Sequence, residues 1–125
     1  MINSNVKIML YMNNPERSRD FWCDKLGFVL VETVNVIGVD SYVVSPSIYS
    51  DVRFVIHNKK LVEKLSPDVN TEIPSILLTT SDIEKTMETL KEKGVVVGEI
   101  QINENIKSLN FADFEGNYYA ILEER

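Results

Sequence analysis

Residues 13–27 read NNPERSRDFWCDKLG, and residues 81–94 read SDIEKTMETLKEKG. Each stretch opens on a side chain that can cap a helix, Asn14 or Asp82, and each closes on a glycine, Gly27 or Gly94. A cap, a charged amphipathic run and a terminal glycine together mark the start and stop of a helix. Asn14-Pro15-Glu16-Arg17-Ser18 lies over Asp82-Ile83-Glu84-Lys85-Thr86, Trp22 over Leu90 and Asp24-Lys25 over Glu92-Lys93. Such self-similarity predicts a repeated supersecondary unit.

Working outward, residues 6–12 (VKIMLYM) have strand length and lead into the first helix, predicted over Pro15–Leu26. The β-branched run 28–36, the turn at Gly38, and runs 41–45 and 52–57 predict three further strands. After a polar connector with a helical turn around Leu61–Leu65, the order repeats. A strand is predicted at 75–79 and a helix follows, carrying Ile83, Met87 and Leu90 on one face. Strands are then predicted at 95–102, 106–112 and 118–122. The expectation is an α+β chain, a single domain over 1–125, with one βαβββ module at about 5–60 and another at about 73–125.

Bulk properties remove several function classes. The 125 residues carry 13 basic and 19 acidic side chains, a net charge of -6. No basic cluster exceeds Lys59-Lys60, so a nucleic-acid partner is not expected. No apolar run reaches membrane-spanning length, and residues 1–5 do not resemble a secretory leader. Cys23 is the single cysteine, so no internal disulfide forms, and a cytoplasmic location is expected. Its place on the helix suggests burial in the core rather than a nucleophile paired with His57, the one histidine. No phosphate loop or serine-nucleophile motif occurs.

The stretches NNPERSRDFWCDKLGFVLVE (13–32), TTSDIEKTMETLKEKGVVV (79–97) and FADFEGNYYAILEE (111–124) resemble the glyoxalase/bleomycin-resistance/extradiol dioxygenase, or vicinal oxygen chelate, superfamily. In the last of these, Phe114 stands where the family's hairpin usually has proline. The resemblance implies two βαβββ modules whose mixed sheet forms a U-shaped trough with helices outside, often within a homodimer. In the family's metalloenzymes the trough holds a divalent metal on four inward side chains. Those positions fall here on Lys7, Phe54, Ser75 and Ala120. Divalent metals take His, Cys or carboxylate ligands, or several converging oxygens. These four do not form such a set, nor do their immediate neighbours, so no metal and no cofactor is expected.

Alternation along strands then suggests a ligand surface of Lys7, Met9, Tyr11, Phe54, Tyr118, Ala120 and Leu122, with Ile56 and Tyr42 beside it. His57 is expected to be structural or solvent-facing. The resemblance thus implies a metal-free protein that binds a small aromatic or hydrophobic molecule, an antibiotic being one case. The acidic surface suits a cationic drug, and Lys7 suits an anionic group. The alternatives are a divergent lyase, isomerase or dioxygenase, or a regulatory dimer whose trough is filled by its own side chains.

Overall fold

A computed structural model describes residues 1–125. The chain forms two compact units, Met1–Ile73 and Pro74–Arg125. The first runs β1 (Val6–Met12), α1 (Pro15–Asp20), a π turn (Phe21–Lys25), β2 (Val29–Val36), β3 (Val39–Ser45), β4 (Val52–Asn58) and α2 (Lys59–Leu65). Its sheet has the order β1-β4-β3-β2, with β1 and β4 parallel and the other pairs antiparallel. The second runs β5 (Leu77–Thr80), α3 (Ile83–Glu92), β6 (Val96–Val97), β7 (Gln101–Asn103), β8 (Ile106–Ala112) and β9 (Tyr118–Glu123). Its order is β5-β9-β8-β6, and β7 also pairs with β8. The opening strand again pairs parallel with the closing strand. With β6 and β7 counted as two pieces of one interrupted strand, each unit is a βαβββ arrangement, as the repeat predicts.

The same local chemistry starts and stops both principal helices. The Asn14 side chain accepts from the Arg17 N–H at 3.0 Å, with Pro15 at the first helical position. The Asp82 side chain accepts from the Lys85 N–H at 3.1 Å. Beyond the helical ends, Gly27 and Gly94 take φ of 76° and 79°, a region open to glycine at little cost.

Two elements differ from expectation. The helix predicted to Leu26 is α-helical only to Asp20, and the Leu26 N–H then reaches back five residues to the Phe21 carbonyl at 3.3 Å. This wider turn accommodates Phe21 and Trp22, consecutive residues that are both buried. The strand predicted at 95–102 is interrupted. The five residues Val97 to Gln101 face the four from Phe111 to Ser108, so the pairing slips by one, and the Gly98 N–H bonds the Asn110 carbonyl at 2.8 Å.

Strand parity sorts the cores. In the first unit Leu10, Met12, Phe54, Ile56, Tyr42 and Val44 are buried on the side that packs against the helical segment. Trp22 meets Phe54 edge-on at 5.0 Å, and Phe28 lies 5.4 Å from Phe54. The Arg19 guanidinium sits 4.6 Å over the Tyr42 ring. In the second unit Leu109, Phe111, Tyr119 and Ile121 are buried, together with Ile83 and Leu90 of α3. Each of these large side chains contributes on the order of 1.5–3 kcal/mol through burial. The helix side is thus filled in both units; on the other side of the first sheet Ser41, Val43, Ser45 and Val55 are buried too, while Met9, Tyr11, Arg53 and His57 stay half-buried. No helix is long and apolar enough to cross a membrane.

Candidate functional site

Register fixes what lies on the helix-free side of the first sheet. β1 and β4 are parallel, with Lys7 paired to Arg53, Met9 to Val55 and Tyr11 to His57. Paired residues point to the same side. Val43 of β3 is the partner of Val55, so it shares this side. The face therefore runs from two cations, Lys7 and Arg53, through apolar Met9, Val55 and Val43, to Tyr11 and His57. Lys7 is exposed; Met9, Tyr11, Arg53 and His57 are half-buried; Val43 and Val55 are buried.

His57 ties three strands together. Its ring stacks on Tyr11 with centroids 5.9 Å apart and planes inclined by 22°. Nδ1 lies 2.9 Å from Ser41 Oγ on β3, and Nε2 lies 3.2 Å from Met9 Sδ on β1. A thioether has no proton to give, so Nε2–H is the donor to sulfur, and a neutral ring then accepts at Nδ1 from the Ser41 hydroxyl. Burial lowers the His57 pKa from its ordinary 6.5, which favours this neutral form.

The expected ligand surface is divided by the structure. Lys7, Met9 and Tyr11 do share a face. Phe54 does not join them: its register partner is Ile8, and it is buried against Trp22 and Phe28 on the helix side. Ile56 and Tyr42 go with it. Lys7 is exposed near the start of β1. The residues that take these places are Arg53, Val55 and His57. The signal for them was in β4 itself. Phe54 and Ile56 are uniformly apolar, as a core face must be, whereas Arg53, Val55 and His57 mix charge, apolar surface and a ring.

In the second unit Tyr118, Ala120 and Leu122 share the helix-free side, since their partners across the buried Ile121 and Tyr119 rows alternate with them. Tyr118 is exposed, and Ala120 and Leu122 are half-buried. Leu77, paired to Ala120, and Val96, aligned with Ala112 and hence Tyr118, extend this exposed apolar surface.

Lys7, Ser75 and Ala120 provide no divalent-metal set, and exchanging Phe54 for the helix-free Arg53 or Val55 adds no ligand. Asp82, Glu84 and Glu123 do bring carboxylate oxygens within 4.8 Å of one another. All three are engaged otherwise: Asp82 caps α3, Glu123 accepts from the Ile83 N–H at 3.0 Å, and Glu84 pairs with Lys107 at 2.6 Å. Cys23 is half-buried on the π turn rather than fully inside the core, and burial raises its pKa, opposing a reactive thiolate.

Residues 6–119 match the family described as Glyoxalase/Bleomycin resistance protein/Dioxygenase superfamily. No curated protein matches the sequence significantly. Among solved structures the fold is similar to that of TnmS3, an antibiotic binding protein from Streptomyces sp. CB03234, with TM-score 0.81, 19% identity, and 99% of this chain and 98% of that chain covered. A superfamily member from Sphaerobacter thermophilus DSM 20745 gives TM-score 0.81 at 22% identity, covering 98% of each chain. TioX from Micromonospora sp. ML1 gives 0.79 at 14% identity, covering 98% of this chain and 100% of that one.

Proposed function

Because this chain belongs to the Glyoxalase/Bleomycin resistance protein/Dioxygenase superfamily, we propose that it is a metal-free binder of a small aromatic or hydrophobic molecule, held on the helix-free face of the first sheet. The observation that carries this reading is the Met9–Val55–Val43 apolar row bordered by the stacked Tyr11–His57 pair. Apolar surface with a few convergent polar groups is the usual make-up of a small-molecule site. Sequestration needs affinity alone, and the one carboxylate that register brings to this face, Glu32 on the edge strand β2, is exposed. A fold neighbour that is an antibiotic binding protein supports the same reading. The Tyr118, Ala120 and Leu122 side of the second sheet is a further candidate ligand surface. The proposal includes a homodimer and, from the single unpaired cysteine, a reducing cytoplasmic setting.

A thermal-shift screen of small aromatic compounds and antibiotics tests it, run before and after treatment with a chelator. At least one compound is expected to raise Tm by a few degrees, equally in both conditions, since a ligand at about 100 times its Kd adds roughly 2.7 kcal/mol. Tyr11→Ala should abolish the shift. Phe54→Leu should lower the starting Tm and leave the shift intact, because Phe54 faces the helix. Loss of every shift on chelation, or loss with Phe54→Leu but not Tyr11→Ala, would overturn the reading.

A further inference from the structure

Lys7 and Arg53 are register partners on parallel strands, and their side chains leave the sheet on the same side. Neighbouring strands lie about 4.8 Å apart, so the two cationic side chains start from adjacent points on one face. Neither forms an ion pair, unlike Arg19 with Asp20, Lys107 with Glu84 and Arg125 with Glu123. The shortage of partners is not one of composition, because the chain has 19 acidic side chains against 13 basic ones. Asp51, two residues before Arg53, and Glu32, which reaches this face through its pairing with Val43, form no ion pair with either cation. The one concentration of positive charge on the face therefore stands uncompensated at the end of the apolar row.

We propose that Lys7 and Arg53 hold the anionic group of the bound molecule, so that the ligands of this chain are aromatic or apolar carboxylic acids. This rests on the preceding reading that the face binds a small molecule. An arginine fork can give a carboxylate two parallel N–H bonds, and a lysine adds a mobile point charge. With its carboxylate between them, the ligand lays its apolar body along half-buried Met9 and brings its far edge to Tyr11 and His57. Tyr11 lies four residue steps along the strand from Lys7, about 13 Å at roughly 3.3 Å per residue, a span suited to two fused or linked rings. The local charge thus selects against the cationic drug that the overall charge of -6 would favour. The field at the docking point comes from the nearest unscreened charges, because salt screens the rest beyond about 8 Å.

Two-dimensional 15N NMR titration with 2-naphthoate, its neutral isostere 2-naphthamide and the cationic 2-naphthylmethylamine tests the assignment. Naphthoate is expected to shift the amides of Lys7, Arg53, Tyr11 and His57 saturably and to bind at least about tenfold more tightly than the amide, the amine being weakest. Lys7→Gln and Arg53→Gln should each weaken naphthoate about tenfold and leave the amide unchanged. Arg53→Lys, which keeps the charge, should weaken it less. If the amide or the amine binds as tightly as naphthoate, or if both glutamine variants bind naphthoate normally, the anion assignment fails while small-molecule binding stands. If none of the three compounds perturbs this face, the assignment and the reading beneath it both fail.

Discussion

His57 has the most consequential single environment in the chain. Its neutral ring donates to Met9 Sδ and accepts from Ser41 Oγ, and a proton added at Nδ1 would leave two donors facing each other until the hydroxyl turned. The folded protein therefore resists protonation, and burial lowers the pKa from 6.5. In the window between 6.5 and the lowered folded value, the unfolded chain binds more protons than the folded one. The stability His57 contributes is complete above 6.5 and is lost as pH falls through that window. Thermal unfolding measured from pH 7.5 to 5 should show Tm falling in wild type, and His57→Gln should flatten that part of the curve. Parallel curves for the two proteins would remove His57 as the cause. None of this could be read from a lone histidine at a strand end, because Met9, Tyr11 and Ser41 are 48, 46 and 16 residues away in sequence.

Among the elements, the turn joining β8 to β9 depends most on one side chain. Asp113 is buried, and its Oδ1 accepts from the Glu115 and Asn117 N–H groups at 3.0 and 2.9 Å. Its Oδ2 accepts from the Asn117 side-chain amide and the Tyr119 hydroxyl, each at 3.0 Å. Gly116 completes the turn with φ of 82°. Burial and this carboxylate push the Tyr119 hydroxyl far above its ordinary pKa, so it remains a donor. Asp113→Ala would leave the Tyr119 hydroxyl and two backbone donors without their acceptor. A loss of about 3–5 kcal/mol in chemical denaturation is expected, as for other buried charged hydrogen-bond partners. Asp113→Asn, which retains one acceptor oxygen, should cost less. Equal losses would mean that the carboxylate's second oxygen carries the whole effect. The turn was legible from Asp113 and Gly116 together, whereas its tie to Tyr119 required the closing strand to return beside it. The β2–β3 hairpin shows the same limit. Gly38 announced the turn, but the two-residue loop also forces Ile37 to φ of 49°, which no local preference of a β-branched residue suggests.

At the scale of the whole molecule, each sheet ends in an edge strand, and substantial apolar surface stays exposed. Leu77, Val96 and Tyr118 are 57%, 65% and 70% exposed, and Val29, Leu30 and Val34 line the edge strand β2. Open edges and apolar rows of this kind call for cover, and a second copy of the chain, as proposed above, would supply both strand and surface. Sedimentation velocity from about 1 to 100 μM should therefore show a dimer, with dissociation promoted by Tyr118→Lys or by charge placed on β2. A single monomeric species throughout that range would count against it.

The amino-acid sequence by itself determined the repeated βαβββ order, the caps at Asn14 and Asp82 and the closing glycines, because each rests on contacts within a few residues. Strand parity within β1 and β9 was equally local: Lys7, Met9 and Tyr11 share a face, as do Tyr118, Ala120 and Leu122. What only the tertiary structure decided was which face of β4 meets the helix. That choice turned on whether Phe54 or Arg53 joined Lys7, and a strand's own alternation permits both. The packing of Phe54 against Trp22 and Phe28 resolved it, since burying three aromatic rings together outweighs any arrangement that buries Arg53 and exposes Phe54.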